Sequence, residues 1–218
     1  MNILNSKKDH KWGYKDTLFE MNKDNESISL KGNRYLICGY EMPYFLPYVR
    51  KELNAEELGN NIQQRKEYKL RKPILNENFI NEIDKINYNY DDRDRLIHSH
   101  GQASASEIQY VLYSDENLER EVDIVLYPVS SEQIELIIKS ANKNNVCLIP
   151  YGGGTNVSCA LKCPKNETRM IASVDMRKLN KLISIDLENN LATFGAGITG
   201  SEMEKILLKY NYGLMKYV

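Results

Sequence analysis

The stretch "VDIVLYPVSSEQIELIIKSANKNNVCLIPYGGGT", residues 122–155, decides the fold. "VDIVLYP" (122–128) is short, apolar and β-branched, the signature of a strand buried on both faces. Ser130 with Gln133 three residues on is a capping-box pattern that opens a helix. Ile134, Ile137, Ile138 and Ala141 then follow the i, i+3, i+4, i+7 spacing of a helix packed by one stripe. "VCLIP" (146–150) reads as a second strand. The three segments make a β-α-β unit, which predicts two parallel strands and a right-handed crossover.

Gly152, Gly153 and Gly154 follow that second strand directly. Three glycines in a row lose much backbone entropy on folding, so the bare backbone must be needed there. A glycine-rich loop at the carboxyl end of a parallel strand lies where open α/β sheets bind ligands, and successive amides can form an anion-binding nest. It is not a Walker A loop, because no Gly-Lys-Ser/Thr follows, and Val157 stands where the dinucleotide fingerprint has its third glycine. On spacing alone, a structural turn and an anion cradle fit equally well.

Downstream, "MIASVDM" (170–176) reads as a third strand, and residues 182–198 as two strands joined at Glu188-Asn189-Asn190. A last helix starts at Thr199 with Glu202 in the capping-box position, an apolar stripe of Met203, Ile206, Leu207 and Tyr210, and a stop at Gly213. Upstream, Phe19 to Met21 and Ser27 to Leu30 form a hairpin pattern, and a short helix follows Pro47. Residues 54–78 read as a loosely packed connection. Phe79, Ile83 and Ile86 share one face of a helix in "NENFINEIDKI" (76–86). Residues 88–108 show no sustained periodicity, so their Asp/Arg cluster is read as solvated and His98 and His100 as surface imidazoles. The open sheet ends where a further strand is expected, which suggests part of a larger domain.

The totals narrow the function classes. In 218 residues, 29 Lys and Arg stand against 30 Asp and Glu. With a pI near 6.3, there is no electrostatic case for nucleic acid. No apolar run reaches 18 residues, and the opening residues lack the apolar core of a signal peptide. Cys38, Cys147, Cys159 and Cys163 read as reduced thiols. Cys159 and Cys163 are four apart without a second Cys/His pair, so no metal site is expected.

A family resemblance is carried by longer segments. "PYGGGTNV" with "GAGITGSEMEKIL" (195–207) resembles the FAD-binding domain of the vanillyl-alcohol-oxidase, or PCMH, type. In order, "KWGYKDTLFE" (11–20), "GNRYLICG" (32–39), "HSHGQASASEI" (98–108), "DIVLYPVS" (123–130), "CLIPYGGGTNVS" (147–158) and "CPKNETRMIASVDM" (163–176) resemble the N-terminal half of the alkyldihydroxyacetonephosphate synthase family. The resemblance runs from about residue 11 to about residue 213. It implies an α+β fold: an N-terminal irregular and helical region over 1–120, then the first α/β subdomain of a PCMH-type FAD-binding domain over 121–218, cut short.

The same resemblance implies a reaction. The acyl chain of acyl-dihydroxyacetone phosphate is exchanged for a fatty alcohol in peroxisomal ether-lipid synthesis, with FAD undergoing no net redox change. Pro150, Tyr151, Gly152, Gly153, Gly154, Thr155 and Asn156 match the loop that wraps the FAD pyrophosphate, the glycines through their amides, Thr155 through its hydroxyl and Asn156 through its amide. Tyr151 stands where the family has an aliphatic residue, its ring packed under the loop or turned away. Gly195-Ala196-Gly197 fits a cofactor-side turn or a purely structural one. The family's catalytic residues lie in the half that has no counterpart here, so no catalytic residue is assigned and the chain alone is expected not to turn over. A homodimer is implied by family. A fragment binding FAD weakly or not at all, and an FAD-dependent 2-hydroxy-acid oxidase, are the alternatives. "KWGY" and "CPKNETR" speak against the latter.

Overall fold

The computed structural model describes residues 16–22, 26–54, 70–101 and 118–214. Its centre is a four-stranded mixed sheet in the order β4-β5-β7-β6. The members are β4 (Tyr88–Asn89), β5 (Ile124–Leu126), β6 (Cys147–Tyr151) and β7 (Ile171–Asp175). Strands β5 and β6 both run parallel to β7, which lies between them. The expected parallel pair is therefore parallel but not adjacent. Strand β4 closes the other edge, antiparallel to β5.

Both faces of this sheet are covered, which is why its strands read as unbroken apolar runs rather than alternating ones. On one face Ile124, Leu126, Ala172 and Val174 pack with Ile137 and Ala141 of helix α4 (Ser131–Lys143) and with Phe79, Ile83 and Ile86. Phe79 belongs to helix α2 (Glu77–Glu82), and Ile83 and Ile86 follow it. The predicted face of that segment is the buried face. Each of these side chains, fully buried, contributes about 1.5–3 kcal/mol relative to exposure. On the other face Val122, Val125, Ile149, Tyr151 and Ile171 form a second cluster with Leu161 and Cys163. The core thus draws on residues from both sides of position 120.

Helix α4 begins as the sequence suggests, with one adjustment. The Ser130 hydroxyl accepts from the Gln133 amide, but the Gln133 side chain reaches back to the Val129 amide rather than to Ser130. Its buried stripe is Ile137, Ser140 and Ala141, whereas Ile138 is half exposed. Ser140 is tolerated inside because its hydroxyl donates to Glu82 of α2.

Residues 88–101 depart from expectation. They hold β4 and a nine-residue helix, α3 (Asp92–His100), with Arg95, Leu96, Ile97, His98, Ser99 and His100 all buried. His98 is completely inaccessible and His100 nearly so, which corrects their reading as surface imidazoles. The segment looked solvated because its charges are satisfied by partners far away in sequence. Arg95 donates to the Val122 and Arg71 carbonyls and to Asp92. Ser99 accepts from the Val122 amide. These bonds lash α3 and the 70–76 segment to the start of β5. Beside them Arg120 makes a bidentate pair with Asp123, which also accepts from the Ile74 and Ile171 amides.

The remaining elements stand apart from that sheet. Strands β1 (Leu18–Met21), β2 (Ile28–Lys31) and β3 (Glu41–Met42) form an antiparallel sheet, followed by helix α1 (Phe45–Glu52). Strands β8 (Leu182–Asp186) and β9 (Leu191–Phe194) form a hairpin of their own, its turn held by Asp186 accepting from Asn189. Helix α5 (Gly200–Leu207) has the full capping box, with Thr199 and Glu202 bonded reciprocally. It runs into a 3-10 turn and stops at Asn211, whose φ is +63°, not at Gly213. Leu207 is the member of its predicted stripe that is buried.

Candidate functional site

Strands β6 and β7 end together, with Tyr151 opposite Asp175. The glycine loop leaves the sheet at this carboxyl edge, where the topology of open α/β sheets places ligands. It walls an open concavity of about 460 Å³, lined by residues 152–158 with Ala160 and Leu161. That lining contains no ionisable side chain, so any ligand there meets backbone, hydroxyls and small apolar groups.

The three glycines play different parts. A Cβ added to Gly152 or Gly153 would meet nothing within 4 Å, so side chains there would grow into open space beside the loop. Gly154 is buried with φ +72°, and an added Cβ would sit 2.5 Å from Cζ of Tyr151. Only glycine fits that backbone and that contact.

The other residues expected at the site divide by direction. Pro150 is exposed on the edge strand β6 and Thr155 is exposed on the loop. Tyr151 is fully buried, packed beneath the loop. Asn156 is directed into the fold. Its side chain is buried, donates to the His100 carbonyl and accepts from the Leu161 amide, so it ties the loop to the end of α3. Asn is well suited to this position, because φ is +51° there. Gly195 and Gly197 lie against the backbone of Leu179 and Met176, contacts that a Cβ would break. Their role in the fold is close chain approach.

Under the loop lies a layer of polar groups that sequence reasoning missed. Asp175 receives a bidentate pair from Arg177 and a 3.1 Å contact from Nε2 of His98. Burial pushes its carboxyl up, but the Arg177 and His98 hydrogen bonds prevail and hold it at about 2. Nδ1 of His98 faces the Asp94 carbonyl at 2.7 Å and so carries a proton. Asp94 in turn accepts from the Tyr127 hydroxyl and from Asn89. Burial, then Asp94, raises the Tyr127 phenol. Burial pushes Tyr151 up to about 12, so it stays a neutral phenol. A signal for this layer was present in the sequence, in the concentration of Asp, Arg and His over 91–100, but only tertiary contacts show that it faces inward. Among the described residues there is no cluster of His, Cys, Asp and Glu able to hold a metal ion, and no helix long and apolar enough to cross a membrane.

Comparison with known proteins defines the class first: residues 122–216 match the FAD-binding domain family, so the loop belongs to a flavoprotein fold. The bare floor at Gly152 and Gly153 fits that cofactor's diphosphate, which needs close approach to backbone. The finer likeness comes from the whole chain. It is 35% identical over 205 residues to an alkyldihydroxyacetonephosphate synthase of Caenorhabditis elegans, covering 92% of this chain and 34% of that protein. A Dictyostelium discoideum protein of the same name is 39% identical over 92 residues, covering 42% of this chain and 15% of its own length. A solved alkyldihydroxyacetonephosphate synthase structure superposes with a TM-score of 0.82 at 25% identity, covering 98% of this chain and 40% of that one. The chain is thus similar to alkyldihydroxyacetonephosphate synthases over 92% of its own length, and it spans about a third of the length of the Caenorhabditis relative.

Proposed function

We propose that this chain supplies the diphosphate-binding part of the FAD site in an alkyldihydroxyacetonephosphate synthase. The enzyme would exchange the acyl chain of acyl-dihydroxyacetone phosphate for a fatty alcohol in ether-lipid synthesis, working in the peroxisome as a homodimer. The observation that carries the reading is the concavity at the carboxyl edge of β6, floored by Gly152 and Gly153. In this reading the backbone of Gly152 and Gly153 and the Thr155 hydroxyl face the diphosphate, with Pro150 directing the strand into the loop. Tyr151, Gly154 and Asn156 hold the loop in shape. Bound FAD supplies the reactive isoalloxazine, while these residues bind and orient its distant diphosphate.

The lining, residues 152–158 with Ala160 and Leu161, carries no ionisable side chain to act as acid or base. We therefore expect the isolated chain to bind FAD without exchanging acyl for alkyl groups. A mitochondrial D-lactate dehydrogenase of Arabidopsis thaliana is 28% identical over 88 residues, 40% of this chain. A likeness of that extent is weaker and shorter than the one to the Caenorhabditis synthase, and it does not support a 2-hydroxy-acid substrate. The test is to incubate the purified chain with FAD, remove free cofactor and read retained flavin absorbance, then assay exchange on acyl-dihydroxyacetone phosphate. Retained flavin without turnover supports the proposal. Turnover by the chain alone would place the catalytic groups within these residues and overturn this division of labour.

A further inference from the structure

Tyr151 adjoins the glycines in sequence yet does not line the concavity, which begins at Gly152. Its ring is fully buried, and its hydroxyl, pressed against Gly154, has no hydrogen-bond partner. The His98 ring lies against it, centroids 4.2 Å apart and planes inclined by 46°. The Arg177 guanidinium carbon is 4.9 Å from the same ring centre. Both flanking groups are fixed by one carboxylate, Asp175, at the register position opposite Tyr151.

We infer that Asp175, His98 and Arg177 clamp the Tyr151 ring as a prop that holds Gly154, and with it the glycine loop, in its ligand-binding shape. Tyr151 is then a positioning residue and not a ligand contact. The physical reason is the cost of loop ordering. A glycine-rich loop has many accessible conformations, and a ligand that must order it binds more weakly than one that meets it preformed. A ring locked between an imidazole and a guanidinium that share a carboxylate is a rigid base for such a loop. Asn156, bonded to the His100 carbonyl, secures the other end of the loop to the same helix that carries His98. For its ligand the inference rests on the FAD reading; for the prop itself it concerns the unliganded chain alone.

The experiment uses the 218-residue chain and two readouts, hydrogen exchange of peptides covering residues 152–158 without ligand, and titration with FAD. The variants are Tyr151→Phe, Tyr151→Leu and Asp175→Asn, each with a thermal melt. Tyr151→Leu should speed loop exchange and weaken FAD binding about tenfold, while β5 and β7 stay protected. Asp175→Asn, which leaves the ring in place but loosens its clamp, should shift both readouts in the same direction by a smaller factor. Tyr151→Phe keeps the ring and should restore both readouts to within about twofold of the parent. Loop exchange unchanged in Tyr151→Leu would overturn the inference, as would a loss of FAD binding in Tyr151→Phe equal to that in Tyr151→Leu, which would make the hydroxyl a direct contact. Should the parent chain not bind FAD, the FAD reading fails, and the exchange measurements still decide whether Tyr151 props the loop.

Discussion

Gly154→Ala isolates what the loop geometry costs to maintain. Two penalties arise at this position. An L-residue held at φ +72° costs about 1–2 kcal/mol relative to glycine. The new methyl would also lie 2.5 Å from Cζ of Tyr151. Relief requires moving a ring that has no free space around it, and overpacking of this kind costs about 1–3 kcal/mol. The sum is about 2–5 kcal/mol, or a fall of roughly 5–15 °C in melting temperature for a chain of this size. Urea denaturation followed by circular dichroism gives the free energy directly, provided the transition is two-state. A double-mutant cycle separates the two terms. In a Tyr151→Leu background the steric part should vanish and leave about 1–2 kcal/mol for the backbone alone. A neutral Gly154→Ala, or a penalty unchanged in the Tyr151→Leu background, would show that the Tyr151 ring does not restrict this position.

Asp123→Ala should destabilise the fold by about 3–5 kcal/mol in urea, because it leaves the buried Arg120 guanidinium without its counter-charge and two amides without an acceptor. The folded-state pKa of Asp175 is depressed to about 2 from an ordinary 3.8. Its stabilising contribution is therefore complete above about pH 4 and is lost as the pH falls toward 2, whereas in Asp175→Asn that part of the acid sensitivity should disappear from a pH series of thermal melts. Thr199→Ala removes the reciprocal cap of α5 and should cost about 1 kcal/mol, read by chemical denaturation.

The β5-α4-β6 unit was legible in the sequence because both signals it uses are local. Apolar β-branched runs mark strands, and Ser130 marks the helix start. The position of β7 between β5 and β6 was not legible, since strand order depends on pairing across some twenty residues of irregular chain. Helix α3 was hidden for a different reason. "DDRDRLIHSH" has a polar composition that normally signals solvent, and distant partners such as the Val122 and Arg71 carbonyls, the Val122 amide and Asp175 compensate its burial. For the glycine loop, the place and the residue types were legible but their directions were not. That Gly152 and Gly153 are bare while Gly154 is filled from below by Tyr151 depends on where a buried ring points. Asn156 likewise reads as a polar loop residue until its partner in α3 is seen. The segments 11–15, 55–69 and 102–108, on which sequence expectations also fell, lie outside the described residues.

Whether the concavity over Gly152 and Gly153 holds the FAD diphosphate, as proposed, is decided by titrating the chain and its Gly153→Val variant with FAD. A Cβ added at Gly153 would meet nothing within 4 Å, so the variant should melt close to the parent. The expected result is saturable binding by the parent, competed by ADP, and at least about tenfold weaker binding by the variant at unchanged stability. Equal binding by both chains, or no FAD binding by the parent, would contradict it.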